Sequence, residues 1–344
     1  MVNSDVVALT FLLPRYARQA AKSAALVACG VGSISRRRFA GRGCVLTFHG
    51  LRPGLRPAEV GDGSLHLPTS TFRAICADLA ARSMVMPLRE MAAKCHAGET
   101  LPDDAVAITF DDGYASNYEH ALPILKEFGL PATVFLATGF IDGEDMLWFQ
   151  RVDRAFQDQS SAELERKLAE LKRLPNTEMR AEVMELEARA GLTAPQAKDL
   201  PAIMRPMTWK QARAMRDTGL IEFGAHTRTH PILAQCTRDE QWQEIIQSRD
   251  RLQDELGPQP TLFAFPNGGP EDYTEETLNL LAEAGFDTAC TMINGHLTPQ
   301  SHPLELPRYG SPESRWEAAA TVSGAFELFK EWRQRCRSAL GGGL

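Results

Sequence analysis

The 344-residue chain has no closely paired cysteines, no excess of basic residues and no apolar run long enough to cross a bilayer. Each absence closes off a class of function. The seven cysteines (Cys29, Cys44, Cys76, Cys95, Cys236, Cys290, Cys336) are odd in number and none forms a CxxC pair. That excludes zinc ribbons and dithiol redox motifs, and it favours a reducing, cytoplasmic setting over a disulfide framework. With 37 Lys and Arg against 44 Asp and Glu, the formal net charge is -7. Nucleic acid as the main partner is thereby excluded, because phosphate binding leaves a basic footprint. The apolar runs Val6–Leu13 and Ala24–Val31 are separated by Arg15, Arg18 and Lys22. Both fall short of the roughly 20 residues a spanning helix needs, and the first lacks the basic start of a secretory signal. No internal repeat is visible.

Residues 1–42 nevertheless stand apart, closing on the basic cluster Arg36, Arg37, Arg38 and Arg42. They read either as an amphipathic segment making peripheral contact with the inner face of a membrane, or as a solvated helix packed on the domain. From residue 43 onward, short β-rich runs alternate with helical stretches. Strands are expected at Cys44–His49, Ala105–Phe110, Ala132–Leu136, Leu220–Ala225, Thr261–Pro266, Phe286–Met292 and Leu304–Arg308. Helices are expected at Thr71–Arg82, Tyr118–Phe128, Thr208–Arg216 (capped by Thr208), Thr237–Leu256 and Glu275–Ala284. Strands separated by helices imply parallel βαβ units, about seven of them, in an α/β barrel or wound sheet. In either, chemistry gathers at the C-terminal ends of the strands. Residues from about 151 to 206 break the rhythm with charged helical segments at Glu163–Leu174 and Thr177–Gly191. This is a helical insertion, read as a lid, a partner surface or a solvated hairpin.

Two clusters carry chemistry. Thr109-Phe110-Asp111-Asp112-Gly113-Tyr114 follows a buried strand. Adjacent carboxylates repel one another and lose hydration, which is tolerable if a cation lies between them or if they divide the labour. Gly113 lets the backbone turn sharply. Alone, such a triplet also serves as an ordinary turn. His226-Thr227-Arg228-Thr229-His230-Pro231 follows a second strand. Histidines four apart reach a single point if the first turn after the strand is helical. One carboxylate and two imidazoles make a three-ligand set with open positions, the composition of a catalytic rather than a structural metal centre. The remaining carboxylate is then placed to take a proton from an attacking water.

These segments resemble the polysaccharide deacetylase family, the NodB-homology group of carbohydrate esterases. ITFDDGYASNY resembles its TFDDG motif, GAHTRTHP its H-x-x-[ST]-H-P motif, and FAFPNG (Phe263–Gly268) the FxYPxG form of its third motif. The resemblance, which extends over LPATVFLATGFI and roughly residues 44–310, implies a distorted (β/α)7 barrel. It also implies Asp111 as base, a divalent metal (commonly zinc) on Asp112, His226 and His230, and a backbone N–H near Tyr114 as oxyanion donor. An N-acetylated glycan is the implied substrate. Two departures stand out. No C-terminal Leu-x-x-His motif is present, and LTFHG instead places His49 at the end of the first strand as the candidate acid, with His296 and His302 as weaker ones. The third motif also lacks its usual Arg, and Arg308 in LPRYG is the candidate replacement. O-acetyl ester or other amide hydrolysis, and glycan binding without catalysis, are the alternative functions. Trp148 and Phe149 are candidates for stacking on a sugar or for buried packing.

Overall fold

The structure, a computed structural model, describes residues 23–25, 31–54, 65–144, 146–193 and 200–339. Most of residues 1–30, including the first apolar run, therefore lies outside the described residues. The strands are β1 (Gly43–Phe48), β2 (Gly50–Arg52), β3 (His66–Pro68), β4 (Met84–Val85), β5 (Ala105–Phe110), β6 (Ala132–Leu136), β7 (Ile221–Ala225), β8 (Leu262–Ala264) and β9 (Thr288–Cys290). Six of them pair in parallel in the order β1-β5-β6-β7-β8-β9, and β4 joins β5 near its start. β2 and β3 form a separate parallel pair. Every residue of β1, β5 and β6 is buried, which is why these strands read as continuous apolar runs rather than alternating ones.

The ring is closed by a stave that is not a regular strand. Leu306 bridges Cys290 of β9, and Tyr309 bridges Leu46 of β1. Four hydrogen bonds secure it: Leu306 to Ala289, Thr291 to Leu306, Thr47 to Tyr309 and Tyr309 to Val45. The strand expected over Leu304–Arg308 is thus corrected to a 3-10 turn, Pro303–Glu305, followed by single bridges. Pro303 and Pro307 supply the reason, since neither can donate to a ladder. The strands expected at Thr261–Pro266 and Phe286–Met292 shorten to β8 and β9, and the helix expected from Tyr118 begins as a π-turn before Leu122–Phe128. The expected barrel forms with six strands and this stave.

Alternate residues divide the core as the period of two requires. Val45, Ala105, Ala107, Phe135, Leu262 and Leu306 share one cluster, which fills the lumen. Leu46, Phe48, Val106, Ile108 and Phe110 belong to another, against the surrounding helices. The insertion has its own small core of Trp148, Val152, Leu171, Met179 and Val183. It consists of helices Trp148–Ala155, Ser161–Leu171 and Asn176–Arg189 and the turn Ala202–Met204. The first of these helices begins before the break in the sequence pattern.

Gly224 in β7 makes room for the largest lumen residue. A Cβ there would stand 2.5 Å from the Phe135 ring and 2.7 Å from the Leu262 carbonyl oxygen. Gly224→Ala is expected to cost about 1–3 kcal/mol through overpacking, read as a lower urea midpoint at unchanged slope.

Candidate metal centre and active site

The strand period sends Ala105, Ala107, Thr109 and Asp111 to the same side of β5, so Asp111 enters the top of the lumen. Its amide donates to the Phe48 carbonyl, continuing the pairing of β5 with β1. Arg308, carried in on the closing stave, meets it there. The guanidinium donates two bonds of 2.8 Å, Nη1 to Oδ1 and Nη2 to Oδ2. Nε donates to the Thr291 carbonyl, Nη1 also reaches Thr109 Oγ1, and the group lies over the Phe135 ring. Arg308 is fully buried and Asp111 almost so. Burial alone would raise the Asp111 pKa, but Arg308 and then His226 outweigh it and hold the carboxyl below its usual range. Asp111 is therefore ionised and fixed in orientation.

The next residue breaks the period. Asp112 has φ of 70°, in the left-handed region, and the Gly113 amide donates to the Asp111 carbonyl across it. This turns the second carboxylate away from Arg308 and toward the histidines. Gly113 has φ of 89°, and a Cβ on it would meet Leu136 and Ile141 at 2.6 and 2.7 Å, so a side chain is excluded there.

The two histidines converge without a helical turn, which corrects the geometry expected from their spacing. Thr227 and His230 have φ of 65° and 60°. The loop is clamped from helix Arg238–Leu256, where the Glu244 carboxylate accepts from the amides of Arg228 and Thr229 and from the Thr229 hydroxyl. The His230 amide donates to Thr227 Oγ1. His226 Nδ1 lies 2.7 Å from the Ala264 carbonyl at the end of β8, so Nδ1 carries the proton and the Nε2 lone pair faces Asp112.

Asp112 Oδ1 lies 3.5 Å from His226 Nε2 and 3.4 Å from His230 Nε2. Those separations are too long for good hydrogen bonds, and both Asp112 oxygens lack a donor while buried. All three ligand atoms lie within 4.8 Å of one another. Bonds of about 2.0–2.1 Å in a tetrahedron give ligand-to-ligand edges of about 3.3–3.4 Å, close to the two separations between Asp112 and the histidines. The set therefore fits a divalent cation, which would remove the cost of the orphaned carboxylate. Burial, only partly offset by Asp112, lowers His230 to about 4, so it is neutral and able to ligate. Burial also opposes a positive charge on His226, but the Asp112 and Asp111 carboxylates outweigh it and raise the imidazole above its ordinary range, the mark of a site that attracts positive charge.

The centre opens into a cleft of about 920 Å³, its open mouth included, whose walls also hold His49, Tyr114 and Asn267. His49 follows β1, alongside Asp111, and its carbonyl accepts from Asn117 Nδ2. Tyr114 is buried, and Gln150 Nε2 donates to its hydroxyl at 3.3 Å. The insertion forms one wall through Trp148, Phe149, Gln150, Leu168 and Met204. Trp148 is packed in the insertion's core, and Phe149 sets its edge against His230. His296 lies elsewhere, bonded to the Tyr309 hydroxyl, and His302 is on the surface near Glu305. Sequence reasoning missed His66, a lone histidine without a motif, whose ring packs on Tyr114 in the cleft wall. It also missed Glu244, although a carboxylate on a long charged helix gives no sign of its partners. Glu244→Ala is expected to weaken divalent-metal affinity about 10- to 100-fold with the far-UV circular dichroism unchanged, measured by competition with a chelating dye.

The sequence profile of the polysaccharide deacetylases matches residues 98–289, more than half of the chain. Among curated proteins, YxkH of Bacillus subtilis (strain 168), which carries a polysaccharide deacetylase designation, is 30% identical over 193 residues. That match covers 56% of this chain and 46% of YxkH, so the chain spans about half the length of that relative. Among solved structures, Streptococcus pyogenes deacetylase PplD in complex with acetate aligns with a TM-score of 0.58 at 20% identity, over 82% of this chain and 98% of that one. IcaB from Ammonifex degensii aligns with the same score and identity, over 82% and 97%. The de-N-acetylase from Aggregatibacter actinomycetemcomitans gives 0.56 at 16% identity, over 80% and 95%. At these identities the three alignments speak to the fold, and the profile speaks to descent: this chain belongs to the polysaccharide deacetylase family.

Proposed function

We propose that the protein hydrolyses the N-acetyl group of an acetylated sugar in a glycan or glycan precursor, with zinc held by Asp112, His226 and His230. The observation that carries this reading is the division of two adjacent carboxylates. One is locked to a buried guanidinium, and the other is left without a donor opposite two imidazoles. The N2O donor set suits zinc among the common divalent ions. When bound, the cation supplies Lewis-acid polarisation of the acyl oxygen and a lower pKa for the attacking water.

The protein's own groups supply the rest. Each Asp111 oxygen gives one lone pair to Arg308 and keeps another, so the carboxylate can still accept the proton of water while its orientation stays fixed. Arg308 acts by positioning, since it does not face the cleft. The backbone N–H at Tyr114, just after the sharp turn at Gly113, is assigned to the oxyanion of the tetrahedral intermediate. His49 is assigned the acid that protonates the departing amine, giving acetate and a free amino sugar. A histidine on the first strand doing this work belongs with the branch of the family suggested by the FAFPNG motif. The apolar and aromatic wall from the insertion keeps bulk water from the acyl group and offers faces to a sugar ring.

Asp111→Asn is expected to keep stoichiometric zinc and to lose at least about 10³-fold in turnover, measured as acetate released from N-acetylated oligosaccharides. Full activity in that variant would remove Asp111 from the role of base. His226→Ala is expected to lose zinc by elemental analysis and activity with it, and unchanged zinc would count against the centre. O-acetylated substrates run beside the N-acetylated panel separate an esterase from an amidase.

A further inference from the structure

Charge is distributed unevenly along this acidic chain. Residues 1–42 hold seven of its 37 basic residues and one of its 44 acidic ones. Helix Val31–Arg38 turns Gly32 and Ser35 inward. Arg36 pairs with Asp104, and Phe39 covers the bare Cα of Gly324, where a Cβ would meet its ring at 2.5 Å. The opposite face carries Ile34, Arg37 and Arg38, which the spacings of three and four residues place side by side. Ile34 is 64% exposed, and both arginines are exposed as well.

Helix Ala325–Ala339 packs against that helix and continues the same character. Trp332 is 59% exposed and is flanked by exposed Lys330, Arg333 and Arg335. Among the described residues, Arg37, Arg38, Lys330, Arg333 and Arg335 have no ion-pair partner. Of the helix's acids, Glu327 turns in to accept from the Tyr309 hydroxyl, while Glu331 remains at the surface. Nearby, Arg315 lies over the ring of Trp316, which is 39% exposed. Two packed helices that expose unpaired cations together with a tryptophan and an isoleucine make a surface that is costly in water. It suits the headgroup region of an anionic bilayer, where amphipathic rings settle at the interface and cations meet phosphate.

We propose that this pole, formed by the helices Val31–Arg38 and Ala325–Ala339, docks on an anionic lipid bilayer. Helix Val31–Arg38 is at the N-terminal end of the barrel strands, where Arg36 meets Asp104 just before β5, and helix Ala325–Ala339 packs on it. Catalysis is assigned to the other end of β5, at Asp111, seven residues along and about 23 Å away. A docked molecule therefore holds its cleft facing away from the lipid, open to a glycan extending into solution. Surface attachment and the acetyl site are separate functions of opposite ends of one barrel.

The test is co-sedimentation of the full chain with vesicles of phosphatidylcholine alone or with 30–40% phosphatidylglycerol, at about 50 and 300 mM salt. Binding is expected only to the anionic vesicles and is expected to weaken with salt. A cation at such a surface contributes about fivefold to partitioning, so Arg37→Glu with Arg38→Glu is expected to lower binding by more than about 20-fold. Trp332→Ala is expected to lower it about tenfold without changing the salt dependence. Both variants are expected to keep the parent's zinc content and thermal midpoint. Equal binding to neutral vesicles, binding untouched by the double reversal, absence of binding, or preference for a DNA duplex over the vesicles would each overturn the proposal.

Discussion

A guanidinium buried at the mouth of the barrel and gripping one aspartate by both oxygens is the interaction on which the rest of the site depends. A buried ion pair is not a stabilising device in itself, since removing two charges from water costs about as much as their attraction returns. Its value here is specificity of role. With Arg308 seated over Phe135 and tied to Thr291, Asp111 is ionised and held in orientation toward the guanidinium. Asp112 is then left to the imidazoles. Two neighbours of identical chemistry thus acquire different surroundings because one follows the strand's period and the other has φ of 70°.

That arrangement requires strain in the backbone, and the strain is held by the surroundings. Three non-glycine residues of the centre (Asp112, Thr227 and His230) occupy the left-handed region. Each costs on the order of 1 kcal/mol or more, and such residues persist only where the structure over-determines them. Glu244 does this for the histidine loop by taking three donors, and the packing of Leu136 and Ile141 against Gly113 does it for the aspartate turn. The insertion adds a wall on the open side, with Phe149 set against His230.

Much of this is legible in the amino-acid sequence. The runs CVLTF, AVAITF and ATVFL announce buried parallel strands, and the two clusters, one after AVAITF and one after Leu220–Ala225, announce a site. Arg308 was legible through the family resemblance alone, as the arginine ending a late β-like segment that could replace the one FAFPNG lacks. What sequence could not convey was conformation. Helical spacing is the ordinary way for histidines four apart to meet, so the left-handed path from His226 to His230 leaves no trace in residue identity. Pro303 and Pro307 were visible, yet the closing stave still resembled a strand, because barrel closure needs only two bridges from it. His66 and Glu244 reach the site through tertiary packing alone, which no local pattern encodes.

The central claim is that the two adjacent aspartates do different things, and a structure of the zinc-loaded protein tests it most directly. Anomalous scattering at the zinc edge is expected to show one ion bonded to Asp112, His226 and His230 at about 2.0–2.2 Å, with Asp111 unbonded and still paired with Arg308. An ion bound through Asp111, or one held elsewhere while these side chains point apart, would contradict the account.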